Sequence, residues 1–287
     1  MATYVFIHGA GDVASSWDSV VAELRGRGHD TVAVDLPCED ESAGWSEYAD
    51  TVLEAIGDRT DLVVVAHSLG GFTAPLVCSR APVELLVLVV GMVPSPGETG
   101  EEWWANTGHP DTGDDPVATF LHDVPPRLAA RALGSQRDQS ATPMREPWPL
   151  HAWPEVSTKY LLCRDDRFFP ADWTRRMVRG RLGTTPDEID GGHCPFLSRP
   201  AGARRTPDRL PPRTRQRGGR EWRLATPSRT SLRSRTPRLT SGSRTSSRHG
   251  SPTVTRAWEA GGEGLELLAF GPHHDGDGEV VTGWWIE

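Results

Sequence analysis

Five short apolar runs, most of them rich in β-branched residues, place the strongest limit on how this chain can fold. Their hydrophobicity is continuous rather than alternating, which is typical of parallel strands covered on both faces. Amphipathic stretches at 15–27, 45–57 and 71–81 lie between the early runs. Strand–helix alternation of this kind predicts a doubly wound, mostly parallel α/β sheet. The five runs are TYVFI (3–7), TVAV (31–34), DLVVVA (61–66), ELLVLVV (84–90) and KYLLC (159–163).

The alternation pauses between residues 92 and 155, where Pro, Gly, Trp and acidic residues are frequent. The pattern predicts one helix in this stretch, at 125–134. Several large aromatic side chains argue against a disordered linker. An insertion placed just before the sheet resumes predicts a small cap over the carboxyl ends of the strands, where open α/β sheets bind ligands.

Charge divides the chain into an acidic body and a basic tail. Residues 1–200 carry a net charge of −14, whereas residues 201–250 contain 14 arginines and only two carboxylates. An acidic body argues against nucleic acid as a partner of the folded domain. The chain has no apolar run of membrane-spanning length and no basic leader, so we expect a cytoplasmic protein without membrane contact. Its four cysteines lack metal-ligand spacing, so we expect reduced thiols and no metal.

The strongest chemical signal is VVVAHSLGGF (63–72), in which a strand-like run leads directly into Ser68 and then into a helical pattern. A serine on such a sharp turn holds its Oγ out at the sheet edge, above a helix N-terminus. The turn demands very small flanking side chains, which Ala66 and Gly70 supply. Ser68 is therefore the candidate nucleophile, although the pattern is A-x-S-x-G rather than G-x-S-x-G.

A serine nucleophile needs N–H donors for an oxyanion, a base, and an acid that orients the base. The first strand ends in the Gly-rich loop HGAG, so the backbone N–H groups of Ala10 and Leu69 are the candidate oxyanion donors. Asp165 and Asp166 follow the KYLLC strand, and His193 lies on a later Gly-Gly loop. This gives the chain order serine, aspartate, histidine. Either aspartate fits that order, and the other would be a surface charge or a helix cap.

Together these elements resemble the α/β-hydrolase superfamily, in the branch that contains plant methylesterases, hydroxynitrile lyases and many bacterial hydrolases. The resemblance spans residues 3–200 and rests on FIHGAG…W, DLP, AHSLGG, CRDDRFFP and GGHCPFLSRP. In this family the acid usually lies four residues before the proline that opens the next helix, which implies Asp166, with Asp165 as the alternative. No cofactor is implied. The other implied roles are nucleophile for Ser68, base for His193, and oxyanion donors for Ala10 and Leu69.

The resemblance implies a serine hydrolase, and specifically a carboxylesterase that cleaves a small apolar ester through an acyl-enzyme. Hydroxynitrile lyases of this type rely on a cap lysine, whereas Lys159, the only lysine of the chain, begins a sheet strand. A non-catalytic ligand-binding protein of the same fold is the alternative from a different functional class. Large apolar residues are expected to line the pocket, although each type is also common in cores. These residues are Trp17, Met92, Trp103, Trp104, Phe120 and Trp148.

The chain changes character after residue 200, where the predicted hydrolase domain (1–200) ends. In the resembled family a final helix follows the histidine loop and often opens as SRPxELAxxL, whereas here SRPA is followed by GARRTP. Codons for PAGARRTP can be chosen so that removing one base yields PAELAERL. This predicts a single-base insertion near codon 201, which genomic resequencing would test.

On this hypothesis, residues 201–250 are an out-of-frame, disordered basic segment, and residues 251–287 are a short hairpin-like remnant. The alternative to the frameshift is a genuine basic tail that binds nucleic acid or acidic surfaces. If the frame is shifted, a further alternative for the function is that the whole chain is a frame-disrupted, inactive copy.

Overall fold

A computed structural model describes residues 1–113, 115–199, 272–274 and 280–282. Its main feature is a six-stranded parallel sheet with the strand order β2-β1-β3-β4-β5-β6. The predicted doubly wound parallel sheet is confirmed, and each of the five apolar runs forms one of its strands. The strands are β1 Thr3–Ile7, β2 Asp30–Val34, β3 Leu62–His67, β4 Val83–Val89, β5 Ser157–Cys163 and β6 Asp187–Ile189.

The continuous apolar runs have the burial expected of strands that are covered on both faces. Every residue of β1 and of β3 is buried, which is why these strands show no alternation of polar and apolar residues. Helix α3 is buried almost all round, with eight of its nine residues inside the fold. The segment between β4 and β5, residues 90–156, is called the cap region below. The helices outside it are α1 Asp18–Gly26, α2 Trp45–Ile56, α3 Gly70–Cys78, α8 Ala171–Leu182 and α9 Pro195–Ser198. A short 3-10 turn, Ala14–Trp17, precedes α1.

Four short helices lie between β4 and β5, in the segment for which the sequence predicts a cap with one helix. The predicted helix at 125–134 is present as α6, but the other three were missed. Their signals are local: Thr99 and Glu102 form a capping box at the start of α4, and Asp115 caps α5 ahead of Pro116. These helices are α4 Gly100–Thr107, α5 Pro116–Phe120, α6 Pro126–Ser135 and α7 Thr142–Arg145.

A buried ion pair joins the start of this insertion to α8. Arg181 donates to the two carboxylate oxygens of Glu98 at 2.6 and 2.8 Å, and the Glu98 side chain is only 4% exposed. Burial by itself would raise the pKa of Glu98, but hydrogen bonds from Arg181, Asn106 and the Ser95 N–H outweigh it and leave the pKa below its usual value. The pair therefore stabilises the fold whenever Glu98 is ionised.

We expect Glu98→Gln to lower the free energy of unfolding by about 3 kcal/mol at pH 7, because it leaves the Arg181 charge without a counter-ion. A carboxyl group whose pKa is depressed in the folded state contributes stability above its unfolded pKa and loses it as pH falls through the folded pKa. The difference from wild type should therefore shrink in urea melts below pH 4.5. Glu101→Gln, which removes the exposed partner of Arg145, is the control and should cost less than about 1 kcal/mol.

Two further strands, β7 Pro272–His274 and β8 Val280–Thr282, pair antiparallel. The predicted basic segment 201–250, and most of the predicted remnant 251–287, lie outside the described residues. The frameshift hypothesis accordingly stays a prediction. Within the described ranges, no helix is long and apolar enough to cross a membrane.

Candidate active site

Ser68 occupies a strained turn between β3 and α3. Its φ of +48° lies in the left-handed region, which costs a residue with a side chain about 1 kcal/mol. Backbone hydrogen bonds hold the turn in place: the carbonyl oxygen of Ser68 accepts from Met92 N–H at 2.8 Å and from Gly71 N–H at 3.1 Å. A left-handed serine between a strand and a helix is the backbone conformation that a nucleophile on this kind of turn requires.

Small residues around Ser68 allow the neighbouring backbone to approach closely. A Cβ added to Gly70 would lie 2.7 Å from the carbonyl oxygen of His8, and one added to Gly71 would overlap the carbonyl oxygen of Met92. Ala66, at the other flank, is completely buried. The steric demand inferred from the sequence therefore has a definite source at Gly70, where the backbone at the end of β1 approaches, and the segment after β4 places a similar demand on Gly71.

His193 is bonded to Asp166, and both side chains are buried. His193 Nδ1 lies 2.8 Å from Asp166 Oδ2, and the residues are 2% and 5% exposed. The other carboxylate oxygen, Oδ1, accepts from the N–H groups of Phe168 and Phe169 at 2.8 and 2.9 Å. Because a carboxylate can only accept, Nδ1 of His193 donates to Asp166, and Nε2 is the ring nitrogen left available for general-base chemistry.

Asp165, the alternative acid, is exposed and makes different contacts. Its Oδ2 accepts from Gly191 N–H at 3.0 Å, and its own N–H donates to the carbonyl oxygen of Gly191 at 3.0 Å. Asp123, from the cap region, accepts from Gly192 N–H at 2.8 Å. Asp165 and Asp123 therefore hold the backbone of the Gly-Gly loop, whereas Asp166 contacts the imidazole of His193.

His67, which precedes Ser68, joins the serine turn to the histidine loop. Its Nε2 lies 3.0 Å from the carbonyl oxygen of His193 and must donate to it, and the two rings meet edge-on at 4.8 Å. Burial, together with the adjacent His193, lowers the pKa of His67 well below its usual value, so the ring stays neutral. The sequence predicts no role for His67. The only local signal for this residue is its place inside AHSLGG.

Aromatic rings enclose the His193 imidazole. Phe168 and Phe169 meet it edge-on, with centroids 5.2 Å away, and Phe120 from the cap region lies 5.3 Å away. Phe168 and Phe120 are partly exposed, whereas Phe169 is buried. This surrounding excludes water from the imidazole and offers an apolar surface on one side of it.

The loop that follows β1 lies directly against Ser68. A Cβ added to Gly9 would lie 2.9 Å from His67 Nδ1 and 3.1 Å from the Ser68 Cβ, so a side chain here would have to displace His67 and crowd the serine. Among the described residues, no protein acceptor takes a hydrogen bond from the N–H of Ala10 or from that of Leu69. The two predicted oxyanion donors are thus unused by the fold itself.

Of the six predicted pocket residues, four are at most 3% exposed. Trp103 donates through Nε1 to the carbonyl oxygen of Val93, and Trp148 donates to that of Phe72. Trp17 packs against Phe196 with ring centroids 4.3 Å apart. Only Trp104 and Phe120 are partly exposed. The pocket-lining role of the six stays a prediction; the four buried residues are Trp17, Met92, Trp103 and Trp148.

Other nucleophiles and cations near the site have ordinary structural surroundings. Cys194 is adjacent to His193, but burial raises the pKa of its thiol well above the usual value, so it holds its proton. Lys159 lies on β5 and faces Asp187 at 4.0 Å. No group of three His, Cys, Asp or Glu side chains suited to a metal ion occurs in the part of the chain that the structure describes.

Comparisons with known proteins agree with this fold. The sequence matches the model of the alpha/beta hydrolase family over residues 4–206. Methylesterase 7 of Arabidopsis thaliana is 25% identical over 69% of this chain and 91% of its own length. The probable esterase PIR7A of Oryza sativa subsp. indica is 36% identical over 33% of this chain and 41% of its own. Among solved structures, polyneuridine aldehyde esterase has a TM-score of 0.61 at 19% identity, covering 70% of this chain and 95% of that one.

Proposed function

Because the chain belongs to the alpha/beta hydrolase family, in the branch that includes the plant methylesterases, we propose that it hydrolyses small apolar carboxylic esters through an acyl-enzyme on Ser68. One observation carries the proposal. The pair of His193 and Asp166 is buried, and its carboxylate leaves Nε2 of the imidazole as the basic nitrogen. His67, the residue next to Ser68, holds the loop that bears this base.

Acylation begins when His193 Nε2 takes the proton of the Ser68 hydroxyl. The oxygen then attacks the ester carbonyl carbon, and the carbonyl electron pair moves onto the oxygen. The N–H groups of Ala10 and Leu69 stabilise this oxyanion, a contribution of about 10²–10³ in rate for each well-placed donor. As the tetrahedral intermediate collapses, the bond to the alcohol oxygen breaks, and His193 passes its proton to the leaving alkoxide.

Deacylation repeats these steps with water. His193 Nε2 removes a proton from a water molecule, which attacks the acyl carbon; the Ser68 oxygen then leaves and recovers the proton. Asp166 keeps the imidazole in the tautomer that both half-reactions use and stabilises the imidazolium formed in each. The products are a carboxylic acid and an alcohol, and no cofactor takes part.

The apolar character of the proposed substrate follows from the rings beside His193. Phe120 and Phe168 offer partly exposed aromatic surface beside the base, with ring centroids 5.3 and 5.2 Å from that of His193. An apolar acyl or alcohol group placed there gains roughly 25 cal/mol for each Å² that it removes from water. The methylesterase relatives are consistent with a small alcohol group.

A screen of p-nitrophenyl esters with acyl chains of increasing length, together with methyl esters of aromatic acids, tests the reaction. We expect turnover, and we expect a fluorophosphonate probe to label one peptide, the one that contains Ser68. Labelling without turnover of any ester would point to a different acyl substrate. Neither labelling nor turnover, in a chain that binds small apolar molecules, would favour the non-catalytic alternative. A chain that does neither and melts at low temperature would favour the frame-disrupted one.

A further inference from the structure

We propose that Arg137, a residue of the cap region, positions the Gly9–Ala10 peptide whose N–H stabilises the oxyanion. This inference rests on the proposed function and adds a residue to its machinery. Arg137 lies far from Ser68 in the sequence, between α6 and α7. Its hydrogen bonds to other segments all fall on residues 8–12, which follow β1, so one part of the proposed oxyanion site is held from the cap region and not from the sheet.

Arg137 forms hydrogen bonds with three residues of this loop. Its backbone N–H donates to the carbonyl oxygen of Gly11 at 2.7 Å. Its guanidinium donates to the carbonyl oxygen of Asp12 from Nη2 at 2.9 Å and from Nε at 3.2 Å, and to Nε2 of His8 at 3.2 Å. The side chain is 22% exposed and lies 3.9 Å from Asp35, so its charge is balanced without being fully buried.

The contact with His8 determines the direction of the peptide. Nε2 of His8 accepts from both Arg137 and the Leu36 N–H, at 3.2 and 3.0 Å. The proton of the neutral ring must therefore lie on Nδ1, which donates to the carbonyl oxygen of Gly9 at 2.7 Å. Burial also lowers the pKa of His8, with Asp12, Arg137 and Asp35 as the charges that face it.

A fixed Gly9 carbonyl fixes the next N–H. The described residues contain no cis peptide bond, and in a trans peptide the C=O and the following N–H point in opposite directions. Holding the Gly9 oxygen on His8 therefore turns the Ala10 N–H to the opposite side, where among the described residues it meets no protein acceptor. Arg137 acts on this donor through His8, as a positioning residue.

The backbone around Arg137 reinforces the same loop. Gly11 has φ +59°, and a Cβ there would overlap the carbonyl oxygen of Arg137. The backbone at Gly11 and the backbone at Arg137 are therefore in direct contact. The Gly11 N–H donates to Oε1 of Gln139 at 3.2 Å, and Gln139 in turn donates to the hydroxyl of Tyr48. Segment 137–139 thus satisfies the backbone of Gly11 and leaves the loop little freedom to turn.

The guanidinium geometry predicts how substitutions behave. A planar fork can donate to His8 and to the Asp12 carbonyl at once, whereas a lysine ammonium on a flexible chain loses part of this match. We expect Arg137→Met to lower kcat for p-nitrophenyl butyrate by about 10–100-fold with KM changed less than about threefold, because only the oxyanion-bearing state is weakened. Arg137→Lys should fall between this variant and wild type.

Two readouts separate positioning from a loss of folding. The affinity of a trifluoromethyl ketone, whose adduct with Ser68 carries an oxyanion, should fall by the same factor as kcat/KM. Amide hydrogen exchange in the peptide covering residues 8–13 should accelerate in Arg137→Met. Arg145→Met is the matched control, because Arg145 is a cap-region arginine that pairs with Glu101 and is 70% exposed; it should change neither readout.

Unchanged exchange over residues 8–13 in Arg137→Met would overturn the proposal, as would a kcat within about twofold of wild type. Equal loss in Arg145→Met would also overturn it, since that pattern indicates general destabilisation. If Arg137→Met does not fold, Arg137→Lys decides by the same measurements. Should wild type show no Ser68-dependent hydrolysis, the proposed function fails, and the exchange experiment still decides whether Arg137 holds the loop.

Discussion

Replacing Ser68 with alanine is expected to lower kcat/KM for p-nitrophenyl butyrate by about 10⁴-fold or more and to abolish fluorophosphonate labelling. The substitution removes a single heavy atom, the attacking oxygen, at a turn held by backbone hydrogen bonds. Alanine is smaller than serine and still fits beside the neighbouring glycines, so we expect the fold to persist. The measurement is the initial rate of ester hydrolysis with and without the probe, together with a melting curve for each variant.

Ser79→Ala is the matched control for this change. Ser79 caps the same helix, and its hydroxyl donates to the carbonyl oxygen of Leu76, so its loss should affect stability slightly and turnover hardly at all. The double variant Ser68→Ala, His193→Ala should be no slower than Ser68→Ala alone, because residues that act as one unit are not additive. Ester hydrolysis by Ser68→Ala within tenfold of wild type would contradict the assignment of the nucleophile.

Asp166→Asn is expected to lower kcat/KM by about 10⁴-fold, the loss seen when the equivalent aspartate of a serine protease is amidated. The N–H groups of Phe168 and Phe169 hold one side-chain oxygen of residue 166. An asparagine keeps its oxygen there and turns its NH₂ toward His193. Nδ1 must then accept, the ring proton moves to Nε2, and the base is blocked.

Asp165→Asn provides the comparison with the adjacent carboxylate. Its oxygen can still accept from the Gly191 N–H, so we expect kcat/KM to stay within about tenfold of wild type. The two variants should melt at similar temperatures, which would separate tautomer effects from folding effects. If Asp165→Asn lost activity while Asp166→Asn kept it, the roles of the two carboxylates would have to be exchanged.

Much of the fold could be predicted because its signals are local. A strand that is covered on both faces is apolar along its whole length, so β1 and β3 can be recognised in the sequence as continuous apolar runs. The turn at Ser68 is likewise a local event, since a strand, a small-residue pair and a helix follow one another along the chain. Helix α4 was missed although its capping box is also local, because eight residues give too short a period to detect.

The cap region and the pocket were harder for a different reason. A tryptophan in a Pro- and Gly-rich stretch can line a pocket or fill a core, and the side-chain type is the same in both cases. Trp103 and Trp148 are buried and donate to backbone carbonyl groups, and the partner of Trp148 is Phe72, 76 positions away in the sequence. Their burial therefore depends on how the insertion packs, which no local pattern describes.

The sequence by itself determined the parallel α/β sheet, the serine on its strand-to-helix turn, and the chain order of serine, aspartate and histidine. These depend on which residues follow one another. Only the tertiary structure decided that Asp166 bonds His193 while Asp165 holds Gly191, that His67 joins the two loops, and that Arg137 reaches His8. Each of these contacts joins residues at least 26 positions apart, and each involves a residue at or just beyond the carboxyl end of a sheet strand. Side-chain pairing of this kind depends on the relative placement of loops, which is settled only when the sheet and the cap region pack.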